Sequence, residues 1–201
     1  MQSINFGKYK GIDISSWQGE VNFKEVKENG IEVVYIKATE GSHYLNPRAD
    51  EYYLKSKSND ILIGFYHFFR PKVDAKIQAN YFSSYVKKKD FNCKLALDIE
   101  ITDGCNADEL SKNCIIFLEE VKSITGKEVV VYTYTSFARA SLTKELGRYP
   151  LWIANYDVEK PEENPIWDEW IGFQYSESGN IQGISTYCPL DVFTEEILLS
   201  N

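Results

Sequence analysis

Histidine is scarce in this chain: His43 and His67 are the only two in 201 residues, beside one methionine and four cysteines. Cys93, Cys105, Cys114 and Cys188 lie 12, 9 and 74 residues apart, so no C-x-x-C pair marks a zinc or redox centre. With so few imidazole and thiolate donors, a soft-metal site finds little support, no cofactor or metal is expected, and the thiols are read as free and buried. Positive charge is also short, 22 Lys and Arg against 30 Asp and Glu, for a net charge of -8. The one basic run, Lys87-Lys88-Lys89, sits at an expected helix end, where the helix dipole favours cations. This balance argues against a nucleic-acid partner. No window approaches the ~18 apolar residues of a membrane span, so no membrane insertion is expected. The start, Met1 to Phe6, lacks a charged region followed by an apolar one, and no export signal is read there.

What the chain has in quantity is short β-branched and aromatic runs separated by amphipathic stretches. Eight strands are predicted: Gly11 to Ser15, Glu32 to Ala38, Leu62 to Phe69, Lys94 to Glu100, Glu128 to Tyr134, Leu151 to Asn155, Ile171 to Tyr175 and Pro189 to Phe193. Asn22 with Glu25 and Asn106 with Glu109 read as capping boxes, and Asn46-Pro47 as a cap before a proline at the first helical position. Apolar stripes predict further helix from Ala75 to Val86 and from Leu110 to Val121, the latter ended by Gly126. One short helix fits around Ser136 to Leu146, after which strands and loops dominate. Runs such as Val129-Val130-Val131-Tyr132, apolar at nearly every position, suit a parallel sheet covered on both sides. The fold class expected is therefore α/β, a barrel with an irregular final section. No repeat or linker divides the chain, so residues 1–201 are read as a single catalytic barrel domain. An open doubly wound sheet is the alternative, but the first βα turn carries no G-x-G-x-x-G loop.

A barrel of this kind places chemistry at the C-terminal ends of its strands. Asp13 ends the first, Asp98 and Glu100 the fourth, and Asp191 lies in the last. Alternation along a strand puts Asp98 and Glu100 on one face, roughly 6–7 Å apart at Cβ. Like charges at that range resist ionising together, so one acid should stay protonated beside an anion, the pairing that glycosidic cleavage requires. Tyr66, Tyr132, Tyr134, Trp152, Asn155 and Gln174 fall between these acids as an aromatic and amide lining suited to pyranose rings. His67 is read as a hydrogen-bonded wall residue, Trp17 as sharing the rim, and Trp167 and Trp170 as structural.

Five motifs in order carry a resemblance: Gly11-Ile12-Asp13-Ile14-Ser15-Ser16-Trp17-Gln18-Gly19, Val34-Tyr35-Ile36-Lys37-Ala38-Thr39-Glu40-Gly41, Gly64-Phe65-Tyr66-His67-Phe68, Leu97-Asp98-Ile99-Glu100 and Leu151-Trp152-Ile153-Ala154-Asn155-Tyr156. Together they resemble the glycoside hydrolase family 25 lysozymes from about Lys10 to Asp191. The resemblance implies a flattened, irregular (β/α) barrel of eight strands with a reduced number of helices. It also implies cleavage of the β-1,4 bond between N-acetylmuramic acid and N-acetylglucosamine in peptidoglycan glycan strands. Glu100 then resembles the proton donor, Asp98 its nucleophilic or stabilising partner, and Asp13 and Asp191 two further site acids, with Tyr66, Tyr134, Trp152 and Gln174 along the groove. Retention needs the acids ~5–5.5 Å apart and inversion roughly 6.5–9.5 Å, and neighbours two apart can meet either; retention is favoured here, with attack by the substrate's own N-acetyl group as a third route.

Two other functions fit the residues. The acid cluster could hold Mg²⁺ or Ca²⁺ in a phosphodiesterase-like hydrolase. Alternatively the groove could bind glycan without turnover. The expected setting is a phage endolysin, held in the host cytoplasm until its release to the wall, or a bacterial autolysin exported by another route, with wall affinity residing in a separate domain. The sequence leaves the oligomeric state open.

Overall fold

In the computed structural model, which describes residues 1–200, a closed sheet of eight strands forms the centre. The strands are β1 (Tyr9–Ile14), β2 (Val33–Glu40), β4 (Leu62–Phe68), β5 (Leu95–Asp98), β6 (Val129–Tyr134), β7 (Leu151–Ala154), β8 (Gly172–Gly179) and β9 (Cys188–Phe193), with a two-residue β3 (Tyr44–Leu45) folded back on β2. Neighbours run β1-β9-β8-β7-β6-β5-β4-β2, and β1 pairs with β2 to close the ring. Each of the eight predicted runs is one of these strands.

From β1 through β2, β4, β5, β6, β7 and β8 the pairings are parallel. The last strand is not: β9 is antiparallel to both β8 and β1. A loop without a helix joins β8 to β9, and antiparallel neighbours need no crossover. The irregular final section is thus an antiparallel seam that seals the barrel.

Five helices cover the outside: α1 (Phe23–Glu28), α2 (Ala49–Ser58), α3 (Ala75–Val86), α4 (Ala107–Thr125) and α5 (Thr135–Ser141). Asn22 and Asn106 cap α1 and α4 through the amides of Glu25 and Glu109, at 3.5 and 2.9 Å, and Gly126 ends α4 at φ 66°. The reciprocal half of the expected boxes does not form on α1, because the Asn22 amide donates to the Gly183 carbonyl. A reciprocal box closes instead where none was expected, on the 3₁₀ turn Ser16–Gln18, with the Ser15 amide donating to Gln18 Oε1 at 2.8 Å. The Asn46-Pro47 expectation is corrected too. Asn46 Oδ1 accepts from the Arg48 amide at 3.1 Å, which makes a turn, and α2 starts two residues later at Ala49.

Alternation divides the strand residues between two cores. Ile12, Val34, Ile63, Leu97, Val131, Ile153 and Phe173 face the helices, whereas Val33, Tyr35, Ala96, Val130, Trp152 and Phe193 fill the barrel. Inside, Tyr35, Trp152 and Phe193 form one aromatic layer with centroids 4.6 to 5.4 Å apart. Glycines make the room: a Cβ on Gly11 would stand 2.4 Å from Phe193, and one on Gly64 2.4 Å from Tyr35. This layer blocks the barrel as a plug, and the residues next above it toward the strands' C-terminal ends form the site.

Candidate active site

Inward parity carries a polar side chain to the top of the plug on six strands, Asp13 on β1, Lys37 on β2, Tyr66 on β4, Asp98 on β5, Tyr132 on β6 and Gln174 on β8, while on β7 the plug residue Trp152 itself reaches the cleft. All seven line one cleft of about 290 Å³, together with Glu100, Tyr156 and the exposed Trp17. Asp191 has the same parity on β9 but is buried beneath the surface, with Oδ1 accepting from Trp152 Nε1 at 2.9 Å.

The strand expectation for the central pair needs adjustment. β5 ends at Asp98; Ile99 still donates to the Tyr132 carbonyl at 3.0 Å, and the chain then leaves the sheet. Asp98 is therefore a fixed floor residue, 5% exposed, whereas Glu100 is half-buried at the rim. Glu100 borders the central cleft and two further hollows, one holding Tyr134, Asn155 and Tyr156, the other Thr102, Asp103 and Tyr134. Tyr134 divides these two, its hydroxyl donating to the Glu100 carbonyl at 3.4 Å. Asn155 lies away from the central cleft; its Oδ1 accepts from Thr135 and the Glu162 amide, so it shapes the neighbouring hollow.

Burial dominates the electrostatics, since it disfavours the charged form of a carboxyl. Loss of water pushes Glu100 above the ordinary glutamate range, opposed by the Tyr132 hydroxyl and by Lys37. Burial and then the Glu100 charge push Asp98 well up. Asp13 is pushed up to about 7 by burial, against a hydrogen bond from Gln174. Burial and the Asp13 charge raise Asp191 strongly. The expectation that one of the central pair stays low is thus overturned: both are raised, because both have lost water, and burial rather than the neighbouring acids lifts Glu100.

Lys37 is the one cation bordering the cleft among the described residues. Its Nζ pairs with Glu40 Oε2 at 2.6 Å and lies 4.7 Å from the Phe68 ring centre, while Arg70 holds Glu40 from the other side. Neither Lys37 nor Tyr156 was singled out from sequence. The signal for Lys37 was its parity: two residues beyond Tyr35 on one strand, it is the next inward position. Tyr156 follows the end of β7 and offered no such signal.

The remaining expectations land as walls. His67 is buried between Thr39 Oγ1 at 2.7 Å and Gln78 Oε1 at 3.1 Å, with its ring on Phe117, and burial lowers it to about 4. Trp167 and Trp170 are buried and donate to the carbonyls of Tyr149 and Gln2. All four thiols are free and buried. Among the described residues no three His, Cys, Asp or Glu side chains are grouped to hold a metal ion. No described helix is long and apolar enough to cross a membrane.

Comparison with known proteins agrees with this geometry. The chain is 43% identical over 190 residues to the autolytic lysozyme of Clostridium acetobutylicum, covering 94% of this chain and 57% of that relative's length. Among solved structures it is similar to the CTP1L endolysin, with TM-score 0.84, 30% identity and coverage of 94% of this chain and 68% of that one. A bacterial lysozyme from Streptomyces coelicolor superposes with TM-score 0.82 at 28% identity, over 92% and 91% of the two chains. The profile of Glycosyl hydrolases family 25 matches residues 12–184, a span that holds Asp13, Asp98 and Glu100, and with a barrel whose inward polar residues converge above an aromatic plug, the chain belongs to that family.

Proposed function

We propose that this chain hydrolyses the β-1,4 bond between N-acetylmuramic acid and N-acetylglucosamine in peptidoglycan, in bacterial cell lysis, with Glu100 as proton donor. The observation that carries this is the position of Glu100: a half-buried carboxyl, raised by loss of water, at the junction of three hollows and beside the buried floor acid Asp98. A glycan strand bridging two hollows passes its linking oxygen over that carboxyl. The names of the autolytic lysozyme and the endolysin support peptidoglycan as the polymer.

In the free cleft loss of water pushes both Asp98 and Glu100 toward the protonated form, and a bound sugar divides them. It covers Glu100, stripping its remaining water and favouring the protonated form. At the same time Asp98 Oδ1, buried without a hydrogen-bond partner, gains a donor from the substrate's hydroxyl or acetamido group, which favours its anion. The proton therefore resides on Glu100 when the bond is to break, and anionic Asp98 faces the positive charge growing at the anomeric carbon. Trp152 and Tyr66 supply apolar faces for the ring.

The test is mass spectrometry of soluble fragments from purified peptidoglycan after borohydride reduction, on wild type and Glu100→Gln in parallel. Reduced muramic acid ends are expected from the wild type. The variant should lose roughly 10²–10⁴-fold in rate, the usual contribution of a general acid, while its circular dichroism stays unchanged. Activity of the wild type should survive a chelator. Absence of fragments from both proteins, on a substrate that another lysozyme digests, would replace this reading with a glycan-binding module.

A further inference from the structure

Below the central pair lies a second pair of carboxyls, Asp13 and Asp191, whose hydrogen bonds are unequal. Gln174 Nε2 donates to Asp13 Oδ2 at 2.6 Å. At the other end of the same amide, Gln174 Oε1 takes the Tyr132 hydroxyl at 2.9 Å and the Tyr156 hydroxyl at 2.7 Å. In this orientation the oxygen faces the two hydroxyls and the NH₂ end is turned to Asp13. Asp191 is supplied differently. Its Oδ1 has the Trp152 indole, but its Oδ2 is fully buried and receives no donor. An orphan carboxyl oxygen beside another carboxyl is satisfied by bearing the proton itself and donating it to its neighbour.

We propose that Gln174 is a positioning residue that decides which member of this lower pair is charged: its amide, locked by Tyr132 and Tyr156, holds Asp13 as the anion and leaves the proton on Asp191. Asp13 then accepts from Gln174 and from Asp191, and presents a fixed negative charge on the cleft floor. This inference rests on the reading of Asp13 as a site acid of the hydrolase. An amide turned the other way would set an oxygen against Asp13 and demand that Asp13 carry the proton, which would neutralise the floor.

The groups around Asp13 make this lock necessary. Glu100 and Asp98 face it from the β5 end, and Asp191 lies beneath it on β9, with Cys188 at the start of that strand. Tyr66 on β4, Tyr132 on β6 and Tyr156 after β7 face it with hydroxyls. Glu177 on β8 borders the cleft, and the single bordering cation, Lys37 on β2, is paired with Glu40. In this uniformly acidic surround an anion at Asp13 survives through directed N–H and O–H donors, and Gln174 is the donor least dependent on pH.

The test is a ¹³C carboxyl titration of aspartate-labelled protein, with Asp191→Asn used to assign the pair, alongside pH profiles of kcat and KM on peptidoglycan for wild type, Gln174→Met and Tyr156→Phe. The expected wild-type result is that Asp13 ionises at lower pH than Asp191. Gln174→Met should move the Asp13 midpoint upward by about one unit, so that kcat falls about tenfold on the acid side, recovers at higher pH, and leaves KM nearly unchanged. Tyr156→Phe, which keeps the amide and removes one of its two anchors, should shift the midpoint in the same direction by less and serves if Gln174→Met fails to fold. Ionisation of Asp191 before Asp13 overturns the proposal, as does an Asp13 midpoint that neither variant moves. A loss of kcat that is flat with pH would reduce Gln174 to a packing residue and overturn it too. If the wild type releases no muramic acid ends, the function assigned above fails, while the carboxyl titration still judges the proton assignment.

Discussion

A buried acid with a raised pKa makes stability depend on pH in a direction opposite to that of a salt-bridged one. Asp13, Asp98 and Asp191 are all held above their unfolded values by burial. The stability they contribute is fully present below about pH 4 and declines as pH rises through their folded values, which for Asp13 is about 7. Each such group costs about 1.4 kcal/mol per pH unit over that window. Surface acids lowered by lysine partners, Asp50 with Lys89 among them, act oppositely and lose their contribution as pH falls. Stability should therefore peak on the acid side of neutrality, and Asp191→Asn, which removes one penalty while keeping a group that can donate to Asp13, should raise Tm at pH 7 and much less at pH 4. Thermal unfolding at the two pH values checks this. Lys37 makes the complementary prediction, because it lowers both Asp98 and Glu100. Lys37→Met should move the whole activity profile to higher pH with the fold unchanged, as measured by initial rates across a pH series.

At the scale of the element, the strands matter through their parity. The runs of β-branched and aromatic residues were readable one by one, and all eight became strands of the barrel. Their relative direction was not readable, because alternation looks the same in parallel and antiparallel strands; that β9 runs against β8 and β1 emerges only when the sheet closes. β3 escaped notice since two residues carry no period. Glycine marks where strand interiors approach the plug. At Gly172 a Cβ would stand 2.7 Å from Trp152 and 2.9 Å from Phe193. Gly172→Ala should destabilise by about 1–3 kcal/mol, the range for overpacking, and weaken activity by displacing Trp152 from Asp191. Chemical denaturation with a parallel rate measurement reads both effects. Gly172 falls within a run read correctly as a strand, yet its reason for being glycine lies on other strands.

For the whole molecule, charge is the quantity with consequences. If the proposed substrate is the anionic wall, a net charge of -8 opposes approach, and salt screens that repulsion over a Debye length of about 8 Å at physiological ionic strength. Initial lysis rates by this chain should therefore rise from low salt toward about 0.15 M, whereas an attraction-driven enzyme would slow. Turbidity measured across a salt series decides between them. The sequence by itself determined the strand inventory, the helix caps at Asn22 and Asn106, the motif acids Asp13, Asp98 and Glu100, and membership of the family, because each is local in the chain or is carried by an ordered set of local motifs. Tertiary structure alone decided that Asp191 lies beneath the cleft rather than in it, that Glu100 stands at a junction of hollows, that Asn155 shapes a neighbouring hollow, that Lys37 borders the acids, and that Tyr156 reaches Gln174 and Gln174 reaches Asp13. Those outcomes depend on how much water each group loses and which donors reach it across the barrel, from partners as far apart in the chain as Asp13 and Gln174, and no spacing along one strand encodes them.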